Sequence, residues 1–265
     1  MTTAQKQKAK NTDPAAPRVS AKERREQERR RQQRQQTILL TVVGVALLVV
    51  VVGAILLTVF APVEATVGDE FKSTYASILA KGENYQGTTA EGYYYVGNPD
   101  APVVLEEFSS FSCPHCKDYH DQVLENIHDK IESGQVKLIY MPLTNFGPFD
   151  STNMTKAAMC AGQQGKFWQM HDLMFDWQSR YGTGANDARR LSAGAAALGL
   201  DQGTFDSCFN GSSLNDTLKK SAEEAAKRGV AGTPTLYLNG QKMESGGGII
   251  GLNELRGVIE SLAKT

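Results

Sequence analysis

Two cysteines separated by two residues carry the clearest chemistry in this sequence. Cys113 and Cys116 enclose Pro114 and His115, and such a dithiol can cycle to a disulfide. A cysteine at a helix N-terminus meets unpaired backbone N–H groups and the positive end of the helix dipole, which favour the thiolate over the thiol. We therefore expect Cys113 to be the ionised cysteine, stabilised also by His115, and Cys116 to be its less exposed partner.

Metal binding is the first alternative, because a Cys-x-x-Cys pair is also half of many zinc sites. Structural zinc takes four ligands, usually as two close pairs. Near the motif His115 and His120 could contribute, but Cys160 and Cys208 have no second Cys or His at ligand-pair spacing. Residue 117 is Lys, which excludes the Cys-x-x-Cys-His pattern of haem attachment. We expect no metal and no cofactor, and favour redox chemistry over zinc or an inert disulfide.

The elements around the dithiol place it at a strand-to-helix junction. Residues 102–108 are an apolar run that predicts a buried strand, and residues 114–131 predict a helix. A short strand at residues 93–96 comes before them, and a strand at residues 135–141 follows. Together these segments predict a β-β-α-β unit with Cys113 at its central junction.

The second half of the chain has a helical block and then a hairpin. Residues 150–228 have helical periodicity throughout, which predicts an inserted helical domain. A strand at residues 235–238, an Asn-Gly turn at residues 239–240 and a strand near residues 248–251 predict the hairpin. A final helix is expected over residues 252–263. His120, His128 and His171 are assigned no functional role.

The N-terminal segment predicts a membrane anchor. Residues 37–60 contain no charge and no proline, and 24 residues of helix are enough to cross a hydrocarbon core about 30 Å thick. Residues 1–36 carry 11 Lys and Arg against 4 Asp and Glu. Basic residues beside a first membrane helix stay in the cytoplasm, so the remainder of the chain should be extracytoplasmic. Cleavage near residues 63–65 is the alternative to a single uncleaved anchor.

The boundaries that follow divide the chain into four parts. Residues 1–36 are a basic cytoplasmic tail, which we expect to face anionic lipid and not to bind nucleic acid. Residues 37–60 are the single-pass anchor in the cell membrane. Residues 61–91 are a spacer with a short helix, and residues 92–265 are the folded domain that contains the dithiol.

Glu107 and Thr233-Pro234 are the residues that would complete a thiol–disulfide site. Strand alternation points Glu107 and Glu106 to opposite faces, and a buried carboxyl has a raised pKa and can exchange a proton with a thiol. The alternative is that both glutamates lie on the surface. Pro234 opens a predicted strand, where a cis peptide bond would expose the backbone of Thr233 to an incoming chain. An ordinary trans proline is the alternative.

Three segments resemble signatures of the DsbA-like thiol:disulfide oxidoreductases, in particular their membrane-anchored bacterial members. They are residues 107–116 (EFSSFSCPHC), 160–168 (CAGQQGKFW) and 229–235 (GVAGTPT). The resemblance covers about residues 92–263 and implies an α/β thioredoxin fold with an inserted α-helical domain. It further implies that Pro234 is cis, that Glu107 is the buried acid and that Cys113 is the attacked cysteine. Thr233 is a residue shared with isomerases.

Cys160 and Cys208 lie 48 residues apart in the helical block. In an oxidising compartment they predict a structural disulfide, with a second redox pair as the alternative. Closing a loop of this length would contribute roughly 3–4 kcal/mol in the chain-entropy model.

The expected function is donation of the Cys113–Cys116 disulfide to reduced secreted proteins. Turnover would then require a membrane partner that re-oxidises the dithiol, for which a quinone-linked protein is the natural class. A disulfide reductase or isomerase of the same fold is the first alternative, and a non-catalytic peptide-binding module is the second.

Overall fold

The computed structural model describes residues 20–59, 63–73, 75–246 and 248–264, and the chain divides into two compact units, residues 1–62 and 63–265. In the first unit, α1 (Ala21–Val59) is a 39-residue helix that begins with a capping box, in which Ser20 and Glu23 exchange hydrogen bonds. Among the described residues it is the one helix long and apolar enough to cross a membrane. Parts of the predicted tail, anchor and spacer, residues 1–19 and 60–62, lie outside the described residues.

A mixed sheet forms the centre of residues 63–265. Strands β3 (Val103–Ser109) and β4 (Val136–Pro142) are parallel, with Leu105 opposite Leu138, and their nearly continuous apolar sequence suits strands covered on both faces. The other neighbouring strands pair antiparallel. Within the described residues the spatial order is β1-β2-β4-β3-β5-β6-β7, where the remaining strands are β1 (Gln86–Thr88), β2 (Tyr94–Val96), β5 (Thr235–Leu238), β6 (Gln241–Ser245) and β7 (Gly248–Ile249).

Helices cover the sheet, and the longest uninterrupted run of them lies between β4 and β5. Asp187 and Asp201 cap two helices of this run, because their carboxylates accept hydrogen bonds from backbone N–H groups of the first turn. The element order confirms the predicted thioredoxin fold with a helical insertion. The helices are α2 (Asp69–Ser73), α3 (Ala76–Leu79), α4 (Pro114–Tyr119), α5 (His128–Glu132), α6 (Thr152–Gly162), α7 (Phe167–Tyr181), α8 (Ala188–Ala197), α9 (Gln202–Asn210), α10 (Asn215–Lys227) and α11 (Leu252–Leu262).

The helical insertion shares one hydrophobic core with the sheet. Phe167 and Trp177 of α7 belong to the same buried cluster as Leu105 and Leu138 of the central strands. The indole of Trp168 also donates a hydrogen bond to a backbone carbonyl of β2 at 3.2 Å. The insertion is therefore held against the sheet by both apolar burial and directed hydrogen bonds. A smaller cluster, in which α10 covers the other face, contains Phe108, Ile139, Met141, Ala225 and Tyr237.

The helix predicted over residues 114–131 is not one regular helix. Between α4 and α5 the chain forms a π-helical turn (His120–Leu124) and a 3₁₀ turn (Glu125–Ile127). The side-chain amide of Asn126 donates to two backbone carbonyls of the π-helical turn and so satisfies acceptors within it. The prediction of a single regular helix was wrong, because hydrophobic periodicity does not register a local change of hydrogen-bond pattern.

The hairpin near the C-terminus also differs from the prediction. Asn239 and Gly240 have positive φ values of 47° and 80° and form a two-residue turn, so that Gln241 pairs directly with Leu238. The second hairpin strand is therefore β6. The strand expected near residues 248–251 is β7, which pairs with β6 as a further short strand.

Residues before position 92 also take part in the fold. The side chains of Tyr75 and Ile78 are 5 % and 1 % exposed within the main core, and β1 extends the sheet beyond β2. The indole of Trp177 donates a hydrogen bond to the carbonyl of Thr66 at 3.0 Å. From residue 63 onward, the predicted spacer thus contains segments that pack against the thioredoxin-like unit.

Candidate active site

The Cys-Pro-His-Cys segment lies where β3 leads into α4. Cys113 has an extended backbone and caps the helix, and Pro114 occupies the first helical position, where a missing N–H costs no hydrogen bond. Both cysteines are free thiols, and Cys113 is 6 % exposed whereas Cys116 is fully buried. The backbone N–H of Ser110 points at Cys116 Sγ at 3.5 Å. An incoming sulfur therefore has access to Cys113 and not to Cys116.

The two thiols differ strongly in acidity. A hydrogen bond from the Cys116 thiol, with help from the backbone N–H groups of His115 and Cys116, lowers the pKa of Cys113 to about 5. Burial raises the pKa of Cys116 far above its ordinary value, and the neighbouring Cys113 and Glu107 raise it further. At neutral pH the first thiol is ionised and the second keeps its proton. His115 contributes through its backbone, while its side chain is exposed.

The Thr233–Pro234 peptide bond is cis, as the resemblance implies. It comes directly before β5, which pairs with β3 and so brings this turn to the dithiol. Cys113 Sγ lies 3.2 Å from the carbonyl oxygen of Thr233, to which its thiol form donates. A groove of about 370 Å³ runs beside this contact and is lined by His115, Asp118, Tyr119, Gln122, Val123, Thr233, Pro234 and Ile249.

Glu107 is buried on the face of the sheet that packs against the two thiols. Its side chain is 1 % exposed, and its position on β3 lies between Tyr140 of β4 and Leu236 of β5. Burial raises the pKa of Glu107 to about 7, although the positive charge of His120 acts in the opposite direction. Glu107 Oε1 has no hydrogen-bond partner among the described residues. The carboxyl is therefore an acid poised near neutral pH.

The neighbouring Glu106 points to the other face, as strand alternation predicts. There Arg228 binds both of its carboxylate oxygens, at 2.7 and 3.1 Å, and also contacts Glu224. A pocket of about 550 Å³ on that face includes Glu106 and Arg228 but neither thiol. Two adjacent glutamates thus have separate tasks, an ion pair on one face and an acid beside the dithiol on the other.

Gln178 of α7 connects the helical insertion to the active-site turn. Its amide donates to the carbonyl oxygens of Phe111 and Cys113, at 2.7 and 3.0 Å. Both contacts cross from the insertion to the loop that carries the first thiol. Nothing in the sequence around Gln178 indicates this contact, because the partners are more than 60 positions apart.

A buried cluster behind the dithiol was also absent from the sequence predictions. Asp172 Oδ1 lies 2.9 Å from both His120 Nε2 and His171 Nδ1, and all three side chains are buried. These distances are those of hydrogen bonds. The one available signal was that His120 lies four residues after Cys116, on the same side of a helix.

Cys160 and Cys208 form a disulfide between α6 and α9. Cys160 is fully buried and Cys208 is 6 % exposed. The pair lies within the helical insertion, as predicted, and apart from the groove at Cys113.

The chain matches known proteins of this architecture. Residues 89–260 match the family model described as Thioredoxin. The crystal structure of oxidised BdbD from Bacillus subtilis superimposes with a TM-score of 0.58 at 21 % identity, over 67 % of this chain and 96 % of that one. The Disulfide bond formation protein D of Bacillus subtilis is 25 % identical over 56 % of this chain and 68 % of its own. The Na(+)/H(+) antiporter NhaA 1 of Salinispora arenicola is 31 % identical over 55 % of this chain, which spans only 21 % of that relative.

The chain belongs to the thioredoxin family, since the family model covers most of its length. Within that family its fold is that of the DsbA-like thiol:disulfide oxidoreductases.

Proposed function

We propose that this protein is a membrane-anchored thiol:disulfide oxidase that donates the Cys113–Cys116 disulfide to secreted or surface proteins. The observation that carries the proposal is the placement of Cys113 at the N-terminus of α4, partly accessible, with the fully buried Cys116 beside it. The pKa of Cys113 is lowered to about 5, whereas the pKa of Cys116 is raised. An ionised Cys113 stabilises the reduced form, and a dithiol whose reduced form is stabilised is an oxidant.

The reaction proceeds by two exchanges at sulfur. A substrate thiolate attacks Cys113 Sγ and breaks its bond to Cys116, which leaves with the electron pair and takes up a proton. A second thiolate of the substrate then attacks the substrate sulfur of the mixed disulfide and expels Cys113 as a thiolate. The substrate loses two electrons, which reduce the enzyme disulfide. The low pKa of Cys113 makes it a good leaving group in the second exchange.

Glu107 is the proton donor to Cys116 in this mechanism. The fully buried Cys116 has no direct access to solvent, and the charge of Glu107 acts on it. A carboxyl with a pKa of about 7 is partly protonated at neutral pH, so it can both donate and accept a proton. The substrate backbone would pair with Thr233, beside the cis Pro234, and its side chains would enter the adjoining groove.

The location proposed is the cell membrane, with the N-terminus in the cytoplasm and the catalytic unit outside. The length and composition of α1 and the basic residues at its start support this orientation. Disulfides persist in an extracytoplasmic compartment. Each turnover leaves a dithiol, so a membrane partner must remove two electrons, and we propose a quinone-linked one.

The redox state of the dithiol in cells tests this proposal. Cells expressing the full chain with Cys160→Ser/Cys208→Ser would be quenched with acid and alkylated, so that the active-site pair alone is read. We expect mostly disulfide, and expect a thiol reagent that does not cross membranes to label Cys113 in intact, pre-reduced cells. Mostly free thiols would contradict the oxidase, and absence of labelling would contradict the topology.

A reductase or isomerase is the second candidate, because Thr233 precedes the cis Pro234. An isomerase would hold its dithiol reduced at steady state and would restore activity to a scrambled substrate without added oxidant. The alkylation experiment therefore separates the two candidates. A purely peptide-binding protein would keep its function in Cys113→Ser.

A further inference from the structure

A row of alternating charges lies behind the dithiol. His171 Nδ1 and His120 Nε2 both meet Asp172 Oδ1 at 2.9 Å, and His120 Nδ1 meets Asp121 Oδ1 at 3.1 Å. Asp121 also pairs with Lys117, the residue after Cys116. The row thus connects α7 of the helical insertion to the helix that carries the second thiol. The proposed mechanism does not use it.

The hydrogen bonds fix the charge of His120. Each of its ring nitrogens faces a carboxylate oxygen, and an ionised carboxylate can only accept. Both nitrogens must therefore carry a proton, which makes His120 a buried imidazolium. Against the opposing effect of burial, the hydrogen bonds to Asp121 and Asp172 raise the pKa of His120 to about 10. Burial lowers the pKa of His171, which needs only its Nδ1 proton to donate to Asp172.

His120 lies one helical turn after Cys116, to whose carbonyl oxygen its backbone N–H donates, so its buried charge lies near the thiol that Glu107 serves. The charge of His120 acts on Glu107 as well. It opposes the effect of burial on the pKa of Glu107, whereas the charge of Cys113 raises that pKa. Buried phenols also face Glu107, namely Tyr75, Tyr119 and Tyr140. The charged and titratable groups that face His120 itself are Glu107 of β3, Lys117, Asp121 and Glu125 of its own segment, His128 of α5, and His171 and Asp172 of α7.

We propose that His120 is a positioning residue whose fixed positive charge, held by Asp172 and Asp121, sets the protonation equilibrium of Glu107 and thereby the proton transfer at Cys116. The inference rests on the proposed function in one respect, namely that Glu107 exchanges the proton of Cys116. Without the cation, Ser109 would be left to oppose the effect of burial, and a larger fraction of Glu107 would stay protonated at neutral pH. That fraction could not accept the Cys116 proton when the dithiol closes to a disulfide.

The reaction of the reduced full chain with oxidised glutathione, in detergent and followed by stopped flow, separates the two thiols. In the first step Cys113 attacks glutathione and forms a mixed disulfide. In the second step Cys116 loses its proton, attacks Cys113 Sγ and expels the glutathione thiolate. For His120→Gln we expect the pH midpoint of the second step to rise by about one unit, which is roughly tenfold in rate below the midpoint. The first step should keep its wild-type pH profile.

Two further variants control this comparison. Asp121→Asn removes one of the two carboxylates that hold the proton on His120, so the second step should shift in the same direction by a smaller amount. His120→Asn is a smaller neutral replacement that tests the same shift should His120→Gln fail to fold. An unshifted second step in the folded variants would overturn the proposal. Loss of the first step would instead contradict the redox function itself.

A measurement on the unaltered protein tests the same point. The chain contains four histidines, His115, His120, His128 and His171. In the full chain with ¹⁵N-labelled histidine, His120 should show the nitrogen shifts of an imidazolium at pH 8. A neutral His120 at that pH would overturn the proposal.

Discussion

The two cysteine pairs of this chain are both buried, yet their surroundings give them opposite chemistry. The Cys116 thiol and backbone N–H groups make Cys113 acidic, whereas burial and the neighbouring Cys113 and Glu107 keep the proton on Cys116. Cys160 and Cys208 join two helices of the insertion as a closed disulfide. Burial alone therefore does not decide what a cysteine does. The polar groups within reach of the sulfur decide it.

The largest expected effect is the difference in activity between a variant without Cys113 and a variant without the Cys160–Cys208 disulfide. Cys113→Ser should reduce the oxidation of a reduced model protein to the uncatalysed rate, because it removes the sulfur that is attacked. Cys160→Ser/Cys208→Ser should retain wild-type turnover. The measurement is the rate of activity recovery of reduced ribonuclease with the full chain in detergent. Equal losses in the two variants would abolish the distinction between the pairs.

For stability we expect the opposite ranking: loss of the Cys160–Cys208 disulfide should matter more than loss of Cys113. Cys160→Ser/Cys208→Ser should lower the free energy of unfolding by roughly 3–4 kcal/mol, because the unfolded chain gains the freedom of a long loop. Both tryptophans, Trp168 and Trp177, lie in the insertion, so their fluorescence during urea titration reports the loss directly. The control is Cys113→Ser, which leaves that loop closed. A loss of similar size in the control would show that the second pair has no special structural role.

Glu107→Gln should make the folded protein more stable and should slow the closing of the Cys113–Cys116 disulfide. The pKa of Glu107 is raised from 4.5 to about 7 in the folded state, so burial disfavours the ionised form. Ionising this buried carboxyl therefore lowers the free energy of unfolding. The loss is absent below pH 4.5 and complete above pH 7, where it amounts to about 3 kcal/mol.

Urea titrations of wild type and Glu107→Gln at pH 4 and pH 8 measure this difference. The amide variant should gain stability at pH 8 alone, and should close its disulfide from the glutathione adduct at least about tenfold more slowly. Glu106→Gln is the matched control on the other face of β3, where the loss of an ion pair should reduce stability. A gain of equal size at both pH values would show that Glu107 is not a buried acid.

The smallest expected effect is at His115. His115→Ser keeps the backbone N–H that contacts Cys113, so it should raise the pKa of Cys113 by at most about one unit and make the dithiol slightly more reducing. The effect of the exposed imidazole is small because solvent screens its charge. Thiolate absorbance as a function of pH gives the pKa, and a glutathione titration gives the potential. Asp118→Asn, on the same groove, serves as the control. A potential that does not change would show that the low pKa of Cys113 owes nothing to the imidazole of His115 and rests on the Cys116 thiol and the local backbone.

Much of the fold followed from local patterns, and what the sequence did not reveal depends on distant partners. The apolar runs of β3 and β4 and the Cys-Pro-His-Cys segment are local, and they placed the dithiol correctly. The Asn239-Gly240 turn contained enough information to place β6 at Gln241, because a two-residue turn fixes the next strand. The prediction of the second hairpin strand near residue 248 did not apply this constraint.

The side-chain contacts that surround the two thiols could not be predicted from local sequence patterns. Asp172 meets His120 across 52 positions, and Gln178 meets Cys113 across 65. Neither residue belongs to a motif, and an isolated histidine in a helix is more often a core residue than a functional one. The π-helical turn that contains His120 likewise depends on tertiary contacts. Such groups become visible once the fold brings them together.

Practical use of this protein depends on where the chain is cut to free it from the long apolar helix α1. Tyr75 packs against the rings of His128 and Trp168, at 4.5 and 5.3 Å, so removing it would leave a cavity in the core. Loss of β1 would also uncover the edge of β2, and an unpaired edge strand promotes aggregation. A soluble enzyme should therefore begin near residue 63. One that begins at residue 92, just ahead of the recognisable family signatures, should precipitate although it keeps every residue of the active site.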